Sequence, residues 1–358
     1  MGDAMQLSGY QRKNYWALDV AKVICAIFLV SAHFASEWAK FPTLIDYALS
    51  VYIIAVPFFF CCSGFLFFTK INALETKEEK KKYFISYQKR IWIIYGVWSA
   101  VYFPFIIASW VRNNILTWGQ FLKWLHMAVV FQTYATIWFL PALAVGIALT
   151  YLLVTRVKKT WGCVVICAVL YLIGSFGYSY DFLFKGTFIG RIYEGYALAF
   201  KTTRNALFNA VPFLYMGYTF TQKSVMAKKE NFIKNGGIAV ACFLVVVAES
   251  FFLKLQFEVS GMDFICSLVP FTYFFMKALL NLDLRERKIY IWFRKISLLI
   301  FVTQRLFLSA LPSVMRDVFA FLYANSYLGL CIVLLLTIGF SGFVITLSKK
   351  IRFLKWIM

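Results

Sequence analysis

Residues 16–36 read WALDVAKVICAIFLVSAHFAS, an apolar run that carries three ionisable side chains. A helix needs about 20 residues to cross the hydrocarbon of a bilayer, at a rise of about 1.5 Å per residue. The run contains no small-residue cleavage site, so we expect a first transmembrane helix and not a signal peptide that is removed.

The composition of the whole chain is that of a polytopic membrane protein. Of its 358 residues, 62% are hydrophobic and 15% are charged, and the mean hydropathy is +0.73. One soluble core cannot hide so large an apolar share, which excludes a soluble enzyme, a disordered chain and a secreted disulfide-rich scaffold. The net charge of +21 indicates the positive-inside bias of short loops and not a nucleic-acid surface.

Ten apolar runs predict an all-α, polytopic membrane helix bundle of about ten transmembrane helices. Basic residues concentrate in alternate loops, and ten spans with both termini in the cytoplasm place all these loops on one side. The largest is a basic cytoplasmic loop at 69–90. An extracytoplasmic loop at 177–206 either holds a substrate or only covers the bundle. The predicted spans are 16–36, 44–68, 91–111, 137–155, 161–176, 207–222, 236–255, 263–281, 296–311 and 326–347.

The cysteines and histidines do not predict a metal site. All eight cysteines lie in apolar runs, no two form a Cys-x-x-Cys pair, and the chain has only two histidines. We expect neither a metal nor a disulfide framework, and we interpret the cysteines as small buried hydrophobic residues.

The three ionisable side chains of the first run are predicted to share one helix face. Lys22 and His33 are eleven residues apart, about three turns plus 20°, and Asp19 can pair with Lys22 three residues later. Charge within the hydrocarbon is costly, so this stripe indicates a lined cavity. The plainer alternative is an interfacial ion pair and a histidine satisfied by a neighbour. With the N-terminus inside, His33 lies toward the outer face, about 16 Å from Lys22.

This first-helix pattern resembles that of the membrane acyltransferase family 3, which carries an acid, a basic residue three positions later and a histidine after ten more residues. Further segments resemble that family in the same order: VPFFF at 56–60, SGFL at 63–66, KR at 89–90, IWFL at 137–140, TRNALF at 203–208, PFLYMG at 212–217 and ISLLIFVT at 296–303. The chain departs from relatives at Gln304, where many have histidine, at Ile93, where some have arginine, and at 141–149, which lacks an acid.

The resemblance implies one integral-membrane domain, residues 1–358, in the bacterial cytoplasmic membrane. Members move an acyl group, usually acetyl, from cytoplasmic acyl-coenzyme A to a hydroxyl of an envelope glycan or lipid-linked sugar. The implied partners are therefore membrane lipids and this acceptor, with acetyl-coenzyme A as donor, no metal and no nucleic acid. A homo-oligomer is left open.

The resemblance also implies roles for individual residues. His33 is the expected general base or acyl carrier. The other candidate catalytic residues are Asp19 and Glu37, and either Glu37 or Glu249 is expected to orient the histidine ring. Arg305 is expected to pair with Glu249. The candidate coenzyme-binding residues are Lys22, Lys89, Arg90 and Ser63, and the candidate substrate-binding residues are Arg204, Asn205, Trp138, Gln304 and Arg305.

Plainer interpretations stand beside these roles. Ser63 and Gly64 also fit close helix packing, and Lys89 and Arg90 also fit the positive flank of a span. A transporter is the competing function, since the membrane half of vancomycin-resistance serine racemases resembles the same family and is thought to take up serine. Because the sequence stops at Met358, soon after the last predicted span, we expect no fused racemase domain.

Overall fold

The computed structural model describes residues 14–39, 41, 51–222, 231–257, 259, 261–351 and 354. These residues form helices and connecting turns, without strands. The all-α fold class is therefore confirmed. The basic pair Arg12–Lys13 near the N-terminus and the start of the second predicted span lie outside the described residues, and the sides of the termini stay predictions.

Fourteen α-helices follow one another along the described chain. They are α1 (Trp16–Glu37), α2 (Ala55–Asn72), α3 (Lys77–Arg112), α4 (Trp118–Val130), α5 (Phe139–Arg156), α6 (Thr160–Phe176), α7 (Phe188–Phe200), α8 (Val211–Thr219), α9 (Phe232–Phe257), α10 (Leu268–Asn281), α11 (Lys288–Arg305), α12 (Leu311–Val314), α13 (Arg316–Leu322) and α14 (Ser326–Leu347). Two π-helical segments extend this order: Ala206–Ala210 leads into α8, and Leu306–Ala310 joins α11 to α12.

Seven helices in the described part of the chain are long and apolar enough to cross a membrane. They are α1, α2, α3, α5, α9, the continuous stretch from α11 to α12, and α14, while α6 is a shorter apolar helix. The predicted spans 207–222 and 263–281 contain the shorter helices α8 and α10. The protein is thus a multi-pass membrane protein, and the count of ten stays a prediction.

The directions of packed helices bear on the number of crossings. Helices α1 and α11 run parallel, because Asp19 pairs with Arg294 near their starts and Glu37 pairs with Arg305 near their ends. Parallel spans are separated by an odd number of crossings. Four long helices lie between these two in the described part of the chain. Where all four cross, an odd number of the shorter helices crosses as well. Ten spans result when α6, α8 and α10 all do so.

Helices α2 and α8 are also parallel, because Gly64, Phe68 and Asn72 meet Leu214, Tyr218 and Thr221 in that order. Glycine lets these two helices approach closely. A Cβ atom on Gly64 would lie 2.3 Å from the carbonyl oxygen of Leu214, and one on Gly217 would lie 2.1 Å from that of Cys61. Two glycines facing backbone in this way give the tight contact of small residues in membrane bundles. The close-packing interpretation of the predicted Ser63–Gly64 segment therefore holds for Gly64.

The predicted loops contain helices. The basic segment 69–90 includes the first part of α3, which begins with a capping box between Thr76 and Glu79. The segment 177–206 contains α7, and the connection after α3 contains α4. Helices α4 and α7 have no buried residues, and both expose large apolar side chains. This pattern is typical of helices that lie in the interface of a membrane.

Candidate active site

His33 lies near the C-terminal end of α1, where α1 packs against α11. Its Nδ1 atom is 2.9 Å from Oε1 of Gln304, whose Nε2 donates a hydrogen bond of 3.0 Å to the carbonyl oxygen of Phe301. Because the backbone of α11 engages the amide nitrogen of Gln304, the amide oxygen faces His33, and Nδ1–H of the ring is the donor. In the neutral ring, Nε2 is then the nitrogen with an available lone pair.

This contact changes the role of Gln304, which was predicted to bind substrate. The side chain is fully buried and fixes the ring of His33. The residue at which this chain departs from many relatives therefore touches the predicted catalytic histidine. Orientation of the ring, which was expected from a carboxylate, comes from an amide.

Glu37 instead forms an ion pair with Arg305, one turn beyond His33. The prediction that Arg305 pairs with Glu249 is wrong. Arg305 is only 7% exposed and needs a counter-charge, and Glu37 supplies it from the end of the parallel helix α1. The ion pair joins the same two helices as the contact between His33 and Gln304.

Glu249 holds the turn before α10. Its carboxylate accepts hydrogen bonds from the backbone N–H groups of Cys266 and Ser267, at 3.2 and 2.9 Å. The hydroxyl groups of Tyr180 and Ser267 donate to it as well. A carboxylate at the start of a helix satisfies N–H groups that have no intrahelical partner. Glu249 therefore fixes the turn that carries Asp263.

Arg204 lies in an ion pair that the sequence did not reveal. Its Nη1 is 3.0 Å from Oδ2 of Asp263, and its guanidinium lies 4.8 Å from the ring centroid of Trp138 and 5.7 Å from that of Tyr178. Burial and the neighbouring Asp263 raise the pKa of Tyr178, so its hydroxyl stays protonated. The structure thus brings together Arg204 and Trp138, two of the substrate-binding candidates.

Residues from several segments surround His33. Gln304 contacts its ring, the Glu37–Arg305 ion pair lies one turn beyond it, and the ring of Tyr52 is 5.6 Å from the histidine ring. The charge of Arg204 reaches both His33 and Tyr52. In the described part of the chain, Nε of each arginine is buried without a hydrogen-bond partner. These residues form one polar cluster, named here the His33 cluster: His33, Glu37, Tyr52, Trp138, Arg204, Asp263, Gln304 and Arg305.

Asn205, which was predicted to bind substrate, has a structural role instead. Its Oδ1 accepts hydrogen bonds from the backbone N–H groups of Leu207 and Phe208, at 3.0 and 3.3 Å, and its Nδ2 lies 2.7 Å from the hydroxyl of Tyr196. The side chain therefore caps the π-helical segment that leads into α8. This capping occupies both ends of the amide, so we do not retain Asn205 as a substrate-binding residue.

A second polar cluster lies at the N-terminal end of α1. Asp19 is 3% exposed and accepts from Lys22 at 2.8 Å and from Arg294 at 2.7 Å. The predicted pairing of Asp19 with Lys22 is confirmed, and Arg294 is an additional partner. Asp19 is fourteen residues from His33, about 21 Å along the helix, so the structure does not bring this predicted catalytic residue to the histidine.

The other predicted coenzyme-binding residues lie on α2 and α3. Lys89 and Arg90 are exposed on α3. Ser63 follows Cys62 on α2. Among the described residues, no group of three or more His, Cys, Asp or Glu side chains is arranged to hold a metal ion.

Comparison with known proteins gives the family. A family model described as an acyltransferase domain matches residues 15–346. An amino-acid racemase of Enterococcus faecalis is 29% identical over 232 residues, which are 63% of this chain and 30% of that protein. A serine/alanine racemase of Enterococcus gallinarum is 26% identical over 268 residues, 74% of this chain and 36% of that protein.

The chain spans about a third of the length of these curated relatives. No solved structure matches it. The family model, in contrast, covers nearly the whole chain, from the residue before α1 to the end of α14. The chain therefore belongs to the membrane acyltransferase family 3.

Proposed function

We propose that this protein moves an acyl group, acetyl above all, from cytoplasmic acyl-coenzyme A to a hydroxyl of an extracytoplasmic envelope acceptor. In this proposal His33 is the general base. The observation that carries it is the hydrogen bond from Nδ1 of His33 to Gln304, which leaves Nε2 as the basic nitrogen. Family membership supports acyl transfer in general, and the donor, the acceptor and the histidine role are the proposal.

The proposed step uses the histidine twice. Nε2 of His33 takes the proton of the acceptor hydroxyl while its oxygen bonds to the thioester carbonyl carbon. The carbon–sulfur bond then breaks, and the coenzyme thiolate takes the proton back from the imidazolium. Negative charge on the carbonyl oxygen needs donors that are already in place. The buried Nε–H groups of Arg204 and Arg305 are the proposed donors, because both lie near His33 without a partner among the described residues.

The N-terminal end of α1 is the proposed entry of the coenzyme. Asp19 neutralises one of the two cations that it contacts, so Lys22 and Arg294 together leave one positive charge. The exposed Lys89 is a further cation, and Arg90 follows it on the same helix. Lysine and arginine form charge-assisted hydrogen bonds with phosphate. The pantetheine arm would then extend along α1 over the about 16 Å between Lys22 and His33.

Amino-acid uptake is the second candidate function. The observation that favours it is that the two curated relatives are named as racemases, one of them for serine and alanine. Under this alternative, Arg204 or Arg305 would bind the carboxylate of a serine-like amino acid, and His33 would have no proton to transfer.

Membrane vesicles that contain the intact protein separate these functions. Labelled acetyl-coenzyme A is supplied on the cytoplasmic side, and label is measured in the outer glycan and lipid fractions. Labelled serine is supplied outside in a parallel sample. Protein-dependent transfer of acetyl label supports the proposal. Accumulation of serine without any acetyl transfer would overturn it in favour of transport.

A further inference from the structure

A cavity of about 410 Å³ lies beside α7 and next to Arg204. We name it the α7 pocket. Its walls come from α7 and the segment that follows it, from the segment that follows α6 and from the segment that follows α4. The lining residues that the argument uses are Tyr193, Tyr196, Ala197, Lys201 and Arg204. The volume lies within the range of about 300–1,000 Å³ that is usual for ligand pockets.

The aromatic walls of the α7 pocket are held in place by hydrogen bonds. The hydroxyl of Tyr193 donates to the carbonyl oxygen of Ile173 at 2.9 Å, and the hydroxyl of Tyr196 accepts from Asn205 at 2.7 Å. Since both hydroxyl groups are engaged, the two rings line the cavity in fixed positions. Fixed aromatic rings with a few polar neighbours suit a ring-shaped polar ligand such as a sugar.

The charge of the α7 pocket is positive. Lys201 and Arg204 are its two charged lining residues, and no acidic residue lines it in the described part of the chain. Arg204 is paired with Asp263, so Lys201 supplies the net charge. This charge favours a ligand that carries a carboxylate or phosphate.

Lys201 occupies a backbone conformation that seldom accepts a side chain. Its φ is +64° and its ψ is −43°, and the N–H of Thr202 donates to the carbonyl oxygen of Phe200 at 2.7 Å. This is a classic γ-turn, which is rare and strained for residues other than glycine. A lysine here carries a backbone cost that glycine would avoid.

The exposed apolar side chains of α7 indicate that the pocket lies near a lipid surface. Phe188, Ile192 and Leu198 are 77%, 55% and 88% exposed, and no described residue of this helix is buried. Large apolar side chains that the protein itself leaves exposed on an amphipathic helix are typically covered by lipid, at the boundary between head groups and acyl chains. A ligand that reaches the pocket over α7 therefore comes from the bilayer.

We infer that the α7 pocket binds the head group of an acidic glycolipid, with the sugar ring against Tyr193 and Tyr196 and its negative group at Lys201. This inference names the acceptor class of the proposed acyl transfer and rests on that function. Arg204 lines the α7 pocket and also belongs to the His33 cluster, so the proposed sugar site adjoins the proposed catalytic site.

The test measures lipid binding without any acyl donor. The purified full chain is incubated with equal amounts of three lipids and examined by native mass spectrometry. The probes are glucuronosyl diacylglycerol, which has sugar and charge, glucosyl diacylglycerol, which has sugar alone, and phosphatidylglycerol, which has charge alone. We expect the acidic glycolipid to be retained at least about tenfold over each of the other two.

Two pairs of variants locate the binding. Lys201→Gln should abolish the preference for the acidic over the neutral glycolipid. Its control is Lys185→Gln, at an exposed lysine outside the pocket, which should keep this preference. Ala197→Trp fills the pocket without changing its charge and should reduce retention of both glycolipids. Ala199→Trp, exposed on the same helix but not lining the pocket, should not.

Equal retention of phosphatidylglycerol and the acidic glycolipid would overturn the sugar assignment. Equal glycolipid retention by Ala197→Trp and Ala199→Trp would overturn the assignment of the site to the α7 pocket. This comparison holds even if Lys201→Gln does not fold. Failure of the proposed function gives a different result, namely retention of the acidic glycolipid without acyl transfer in vesicles. Acyl transfer in vesicles without retention of the acidic glycolipid would refute the inference about the α7 pocket and leave the proposed function standing.

Discussion

Replacing Gln304 by methionine tests the geometry on which the proposed chemistry depends. Methionine has a similar length but no oxygen to accept from Nδ1–H of His33. Loss of a neutral hydrogen bond costs about 0.5–1.5 kcal/mol, and leaving a buried N–H unsatisfied costs about 1–3 kcal/mol. The ring would no longer be held in the tautomer that has its lone pair on Nε2. We expect kcat/KM for acyl transfer to fall about 10- to 100-fold, which corresponds to about 1.4–2.8 kcal/mol.

The matched variant is Gln304→Glu, which keeps an oxygen acceptor for His33 at the same distance along the side chain. Acyl transfer is measured in single-turnover experiments on vesicles, and the Tm of each variant is measured to separate folding from catalysis. We expect Gln304→Glu to retain more activity than Gln304→Met. A Gln304→Met variant with the kcat/KM and Tm of the parent would refute the argument that this amide orients the base.

Three further predictions concern stability and donor binding. Asp19→Asn should destabilise the protein by about 3 kcal/mol, because the buried carboxylate bridges two cations. The control Asp317→Asn, at an exposed position of α13, should not destabilise it. Equal Tm values for the two variants would contradict this prediction. Gly64→Ala should lower the Tm, since the new Cβ meets backbone, whereas Gly96→Ala, with nothing within 4 Å, should leave it unchanged or raise it. Arg90→Ala should weaken coenzyme A binding at least about tenfold by calorimetry, and an unchanged Kd would show that Arg90 is only a topology signal.

The first helix was largely predictable from the sequence. An apolar run with Asp19, Lys22 and His33 at helical spacing specifies both the span and the face that carries the charges. The pairing of Asp19 with Lys22 followed from their separation of three residues, and the structure confirms it. Each of these inferences concerns neighbours within one helix, where periodicity is sufficient.

The partners contributed by other helices were not predictable in the same way. Gln304 and Arg305 meet α1 only because α11 packs parallel to it, and no local pattern specifies which spans become neighbours. This is why Glu249, an acid in an apolar run, was wrongly paired with Arg305. Asp263 did carry a signal, since an acid at the start of an apolar run needs a partner. Tyr52 carried none, because tyrosine is common in such runs.

The most direct test of the central claim is acyl transfer by His33→Ala, with the other histidine variant, His126→Ala on the exposed side of α4, as the control. Vesicles receive labelled acetyl-coenzyme A on the cytoplasmic side, and acetyl label is measured on outer glycan and lipid. We predict that His33→Ala lowers transfer by at least about 10²-fold, which is the contribution of a general base, and that its coenzyme A affinity equals that of the parent. The transfer rate of His126→Ala should stay at the parent value. Transfer by His33→Ala at the parent rate would contradict the account.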